Sequence, residues 1–135
     1  MILMACVDDN MGMLFNKRRQ SQDKVLRAHI LDITANSRLW MNYYSARQFE
    51  PDTEPQINID ENFLSKAAPG EFCFTEDVDV GVYEQQVEKI ILFKWNRRYP
   101  GDLHFNINLS NWRLVESHDF VGSSHEKITE EVYVR

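Results

Sequence analysis

Glu76, Asp77 and Asp79 crowd three carboxylates into one turn, between the apolar run Phe72-Cys73-Phe74-Thr75 and the segment Val80-Gly81-Val82-Tyr83-Glu84-Gln85. The pattern reads as a buried strand, a tight turn and a helix over 80–87. At such a junction, unpaired backbone N–H groups and the helix dipole favour a bound phosphate. A phosphate-binding turn carries glycines, so that the backbone can approach the ligand. Acids in their place give the geometry of a nucleotide site with a charge that repels one.

Lys17-Arg18-Arg19, followed by Lys24 and Arg27, concentrates positive charge on a chain of net charge −6. It suits a phosphate or the acidic segment of a partner. The plainer alternative is a solvated loop that balances Asp8 and Asp9. Asn96-Arg97-Arg98-Tyr99 is a second, weaker basic spot and reads as a polar hairpin. Asp23 falls in the first turn of a predicted helix, where an acid stabilises the dipole by about 0.3–1 kcal/mol.

The four histidines are scattered. His118 and His125 flank a short loop with Asp119 and Glu126 nearby, but neither His-Glu-x-x-His nor a Cys/His set is present, and no metal is expected. His29 reads as a satisfied core histidine. Ser123 or Ser124 beside His125 does not amount to a nucleophile and base by sequence. Trp40, Tyr43, Tyr44, Trp95 and Trp112 could line a ligand cleft, but strands normally supply aromatics to a core, so core packing is the default reading. Tyr43 and Tyr44 are neighbours and point to opposite sides of any strand that carries them.

The elements that must position these groups follow from periodicity. A chain of 135 residues suits one domain, 1–135, with a hydrophobic core. Residues 2–7 predict a central strand, apolar on both faces. Residues 8–19 predict a loop. Ser21 caps a helix that carries Val25, Leu26, His29, Ile30 and Ile33 and ends at Asn36-Ser37. Strands are predicted over 38–44, 56–59, 71–75, 89–95, 112–116 and 128–134, with an edge at 104–106. Short helical segments are expected at 45–49 and, capped by Asp60, at 61–67. Residues 50–55 form a proline- and acid-rich loop, and 119–124 another. Strands alternating with helices, then strands alone, predict an α/β fold with a mixed sheet flanked by helices.

The acidic balance argues against general nucleic-acid binding. Cys6 and Cys73 read as reduced, buried residues of a cytoplasmic protein. The apolar opening lacks a basic leader region, and no run approaches membrane-spanning length.

Element order and residues together resemble dihydrofolate reductase over nearly the whole chain. Ala5-Cys6-Val7-Asp8-Asp9-Asn10-Met11-Gly12 is similar to that family's first strand and mobile loop. Ser21-Gln22-Asp23 is similar to its Pro-x-Asp, and Val82-Tyr83-Glu84-Gln85 with Glu88-Lys89-Ile90-Ile91-Leu92 to its Ile-Tyr-Glu-Gln helix and following strand. Gly101-Asp102-Leu103-His104-Phe105 and Trp112-Arg113-Leu114-Val115 resemble its Gly-Asp-Thr-x-Phe and Trp-x-x-Val, and Glu131-Val132-Tyr133 its closing strand.

The resemblance implies that Asp23 is the carboxylate that binds a pterin ring and helps its protonation. The other working positions depart from the family. Its pyrophosphate-binding Gly-Gly falls on Val78-Asp79, where like charges about 4 Å apart repel by about 1–4 kcal/mol. Its Gly-Arg-x-Thr falls on Asn42-Tyr43-Tyr44-Ser45, which keeps only a hydroxyl, and its pocket threonine falls on Phe93. The segment before the acidic turn is short by about a strand, so the fold is expected to be truncated in the cofactor-binding half.

The expected function is therefore a divergent relative that has lost NADPH-dependent reduction, with no cofactor. It binds a small molecule, an anion or nucleotide among the candidates, or an acidic partner protein. Its cleft is expected near Asp23, Tyr43, Ser45 and Phe93, with Lys17, Arg18, Arg19 and Arg27 at the rim. The alternative is an active NAD(P)H-dependent pterin or dihydrofolate reductase with rebuilt cofactor contacts.

Overall fold

The structure is a computed structural model and describes residues 1–50 and 54–135. Ten strands are numbered in chain order: β1 (Ile2–Val7), β2 (Gly12–Phe15), β3 (Arg18–Arg19), β4 (Leu39–Met41), β5 (Ile57–Ile59), β6 (Phe72–Thr75), β7 (Lys89–Lys94), β8 (Leu103–His104), β9 (Arg113–Phe120) and β10 (Ile128–Val134). The helices are α1 (Lys24–Ile33), α2 (Tyr43–Gln48) and α3 (Phe63–Lys66). A seven-stranded sheet has the order β5-β4-β6-β1-β7-β10-β9. Its first five strands run parallel, β10 runs antiparallel to β7, and β9 runs antiparallel to β10.

β1 lies at the centre because both its faces are apolar. Leu3, Ala5 and Val7 join one core layer with Phe63, Leu64, Ile90, Leu92 and Trp112. Ile2 and Met4 point the other way, into a layer with Leu26, Ile30, Met41, Phe49 and Phe93. This two-residue alternation sends one strand into two cores, as the pleat dictates. β9 is exposed along nearly its whole length and forms one edge.

Several expected elements differ, each for a local reason. Residues 8–19 are not all loop: β2 and β3 form a hairpin, and β8 joins it in a three-stranded sheet. Asn16 and Lys17 both take positive φ, 51° and 61°, as the twist of a two-residue hairpin turn requires. Asp23, not Ser21, caps α1, and its side chain accepts the Leu26 N–H at 2.9 Å. The helix ends at Ile33, before Asn36-Ser37. The strand expected over 38–44 stops at Met41, because the Asn42 side chain accepts the Ser45 N–H at 3.0 Å and starts α2.

Beyond the acidic turn there is only a 3₁₀ segment, Gly81–Gln86, and not an α-helix. Asp60 does not cap α3; its carboxylate accepts the Asn62 N–H, and α3 is a single turn. β9 extends through Phe120, so the last loop begins later than expected. Cys73 is buried, but Cys6 keeps some solvent contact. The loop expected over 50–55 falls in part on 51–53, outside the described residues. Among the described residues, no helix is long and apolar enough to cross a membrane.

Candidate functional site

β1, β6 and β7 are parallel, and their carboxyl ends converge on Asp8, Glu76 and the segment that carries Tyr99. Open α/β sheets build their sites at this end. A larger hollow of about 830 Å³ lies at the opposite edge, lined by Ser37, Arg38, Gln56 and Glu71. It is shallow and polar, and its charged groups, Arg38 and Glu71, pair with each other at 3.7 Å.

Asp23 is 2 % exposed. Its Oδ2 accepts both the N–H and the hydroxyl of Ser124, each at 2.7 Å. Ser124 Oγ lies 2.6 Å from His125 Nδ1, and His125 Nε2 lies 2.5 Å from the Tyr99 hydroxyl. The Tyr99 N–H donates to Asp8 Oδ2 at 2.9 Å. The His125 ring stacks on Trp95, with 4.6 Å between centroids.

Proton counting gives this network one direction. Burial alone would raise the Asp23 pKa, but hydrogen bonds from Ser124, Leu26 and Ser123 outweigh it and hold the carboxyl well below its usual range. An ionised Asp23 only accepts, so the single Ser124 hydroxyl proton goes to it. Ser124 Oγ must then accept from His125 Nδ1–H. Burial, then the charge of Arg97, push the His125 pKa down, against a smaller opposing pull from Asp23. The neutral ring leaves Nε2 as acceptor for the Tyr99 O–H. The run is Tyr99 to His125 to Ser124 to Asp23, with every donor matched.

The loop after β9 seals Asp23. A Cβ on Gly122 would collide with the Asp23 carboxylate and stand 2.6 Å from Ile128 Cδ1. The Gly122 N–H closes the loop on the His125 carbonyl at 3.0 Å, and Ser123 Oγ accepts the Lys24 N–H at 3.0 Å. Both Asp23 oxygens are thus filled by the chain's own donors.

The basic run divides. Arg19 turns inward and makes a two-pronged ion pair with Glu76, at 3.0 and 3.2 Å. Its guanidinium lies 4.4 Å over the Tyr44 ring and donates to the Tyr44 carbonyl at 3.1 Å. Arg19 is therefore already committed, whereas Lys17 and Arg18 are exposed and Arg27 is half-buried on α1.

The acidic turn is likewise filled from within. Asp77 accepts from the Asn42 amide at 2.7 Å. Asp79 accepts the Gly81 N–H at 2.9 Å and the Asn106 amide at 2.8 Å. Val78 packs against the core. Tyr43 is 60 % exposed. Ser45 is fully buried, and its hydroxyl has no hydrogen-bond partner. Phe93 is fully buried, edge-on to His29 at 6.0 Å. In this arrangement Phe93 offers a ligand no surface.

The cleft that remains open lies between the β2–β3 hairpin and the loop after β7. It holds about 270 Å³, lined by Phe15, Arg18, Arg19, Gln20, Tyr99 and Pro100. Both polar ends of the Gln20 amide are buried without a hydrogen-bond partner. Buried polar atoms are normally paired, and the Ser45 and Thr75 hydroxyls are unpaired in the same way. Tyr99 is both a wall of the cleft and the head of the network to Asp23. The sequence does not single out Gln20 or Tyr99, and it sets Ser124 and His125 aside, since Tyr99 and Asp23 lie 26 and 101 positions from their partners.

No protein-family model matches the sequence, and no curated protein is significantly similar to it. Among solved structures, the chain is similar to a dihydrofolate reductase from Enterococcus faecalis, complexed with NADP(H) and RAB-propyl. The TM-score is 0.69 at 10 % identity, and the match covers 99 % of this chain and 95 % of that one. At such low identity the likeness speaks for the fold: the chain has a dihydrofolate-reductase-like fold.

Proposed function

We propose that this protein binds a small molecule in the cleft between the β2–β3 hairpin and Tyr99, and that NADPH-dependent reduction has been lost. The carrying observation is the unpartnered Gln20 amide in the wall of that cleft. An amide presents a donor and an acceptor side by side, which suits the edge of a planar heterocycle or another amide. Phe15 and Tyr99 supply aromatic walls, and the exposed Arg18 supplies positive charge at the rim. The volume, about 270 Å³, favours a small ligand. A planar, negatively charged heterocycle fits all of these terms.

Loss of reduction is supported at two places. Val78 and Asp79 stand where close backbone approach to a pyrophosphate is needed, and Asp79 already occupies the Gly81 N–H. Asp23 has both oxygens engaged beneath the loop 121–125. Two free cysteines accord with a reduced, cytoplasmic setting, which belongs to the same proposal.

The second reading is an active NAD(P)H-dependent pterin reductase. The similar enzyme is complexed with NADP(H), and Asp23 is present, its carboxyl held well below the usual range by hydrogen bonds. Calorimetric titration with NADPH separates the two. The binding reading expects no saturable heat at millimolar NADPH, and a thermal shift with some anionic heterocycles that weakens in Arg18→Ala and Gln20→Leu. Saturable NADPH binding with oxidation in the presence of dihydrofolate would replace it. A shift only with acidic peptides would assign Lys17 and Arg18 to a partner protein instead.

A further inference from the structure

On the far side of the molecule, a helix and two strands bring together residues that the small-molecule reading does not use. His29 lies in the middle of α1. His118 on β9 and Glu130 on β10 are direct cross-strand partners, so their side chains share one face of the sheet. His29 Nε2 is 2.9 Å from Glu130 Oε1, and His118 Nε2 is 3.8 Å from the same oxygen. The three ligand atoms lie within 4.8 Å of one another. The two imidazoles are nearly parallel, with centroids 6.3 Å apart and an interplanar angle of 26°.

We propose that His29, His118 and Glu130 form a binding site for a divalent transition-metal ion of the zinc class. Two imidazole nitrogens and one carboxylate are a donor set that zinc accepts in tetrahedral geometry. Bonds of about 2.0–2.1 Å place tetrahedral ligand atoms about 3.3–3.4 Å apart. The two separations from Glu130 straddle that value and all three atoms lie within 4.8 Å, so an adjustment of about an ångström, within reach of the exposed His118 side chain, admits the ion. Coordination would replace a shared proton between His29 and Glu130.

The surroundings favour a cation. Glu116 and Ser117 line the same hollow, of about 560 Å³, and Glu116 stands opposite Val132, one step along the ladder. Glu116 or water would complete the coordination. The carboxylates of Glu130 and Asp32 add attraction for positive charge beside His29. Phe93 and Phe120 pack on the His29 ring, at 6.0 and 5.1 Å, which fixes its orientation and keeps one side dry. The His118 side chain is 61 % exposed and gives an ion its entry. An ordinary His29–Glu130 ion pair would need neither His118 nor the open hollow beside it.

The test is calorimetry of the full chain, freed of metal by chelation, against Zn2+ alone at neutral pH. One equivalent should bind, and Co2+ should give the visible absorption of a four-coordinate ion. His118→Ala removes an exposed side chain and should leave the metal-free melting temperature unchanged. It should weaken Zn2+ binding at least tenfold, as should Glu130→Gln, because altering even an outer partner of a metal site costs about 10–100-fold. His104→Ala, elsewhere on the surface, should bind as the parent does. No saturable heat up to millimolar Zn2+ would overturn the site. So would binding that both variants retain, or that the His104 change abolishes.

Discussion

Ser124 donates its hydroxyl proton to Asp23 Oδ2 at 2.7 Å, across 101 positions of the chain. That one bond joins the loop between β9 and β10 to the N-terminus of α1. It also decides the tautomer of His125, since the serine has no second proton to give. The resemblance to dihydrofolate reductase gave Asp23 to a pterin ring. Here Ser124 donates to its Oδ2 and the Leu26 N–H to its Oδ1.

Ser124→Ala should therefore do more than remove one bond. His125 Nδ1–H would lose its acceptor in a site where His125 is only 5 % exposed. Leaving a buried donor unpaired costs about 1–3 kcal/mol. Chemical denaturation should show a loss in that range at neutral pH. A change below about 0.5 kcal/mol, the scatter of surface substitutions, would mean that the hydroxyl does not carry the network.

Acid should weaken the protein in two separate windows. The folded His125 has a lowered pKa, so below about pH 6.5 the unfolded chain takes up a proton that the folded one refuses. Its contribution is full above that pH and is lost as pH falls towards the folded value. Asp23 is also depressed, so its contribution is full above about pH 3.9 and disappears only in stronger acid. Melting temperatures across pH 3–8 should fall in both windows. His125→Gln should flatten the upper one and Asp23→Asn the lower; unchanged slopes in the variants would place the titrating groups elsewhere.

Gly122→Ala tests the seal over Asp23. The added methyl would overlap the Asp23 carboxylate and Ile128 Cδ1. Overpacking of this kind costs about 1–3 kcal/mol. Proteolysis within 121–125 should also speed up, because the loop must lift to make room. Parent-like stability and protection would show that the loop does not press on Asp23.

Much of the sheet was legible in the sequence. β1, β6, β7 and β10 show themselves as apolar or alternating runs, because burial on one or both faces leaves that imprint. The β2–β3 hairpin was hidden, since its turn is Asn16-Lys17 and not an Asn-Gly pair, and its strands are short. At the acidic turn Asp79 satisfies the Gly81 N–H, and a 3₁₀ segment stands where the apolar pattern predicts a helix. The site was least legible. Arg19 looked like a ligand for anions, but Glu76 lies 57 positions away and no local pattern announces that pairing. Phe93 was aligned to a pocket position, yet an apolar side chain on a central strand goes to the core.

Gln20 offers the sharpest separation of stability from function. Its amide gains no hydrogen bond in return for leaving water. An unpaired buried polar group costs about 1–3 kcal/mol, and an apolar side chain of similar shape removes that cost. Gln20→Met should thus stabilise the free protein by about 1 kcal/mol or more, as read by urea denaturation, and abolish the thermal shift given by an anionic heterocycle. A natural residue that weakens the empty fold and strengthens the occupied one is what a binding cleft requires. If Gln20→Met were instead destabilising and the thermal shift persisted, the amide would be a structural group with partners in solution, and the cleft would lose its assignment.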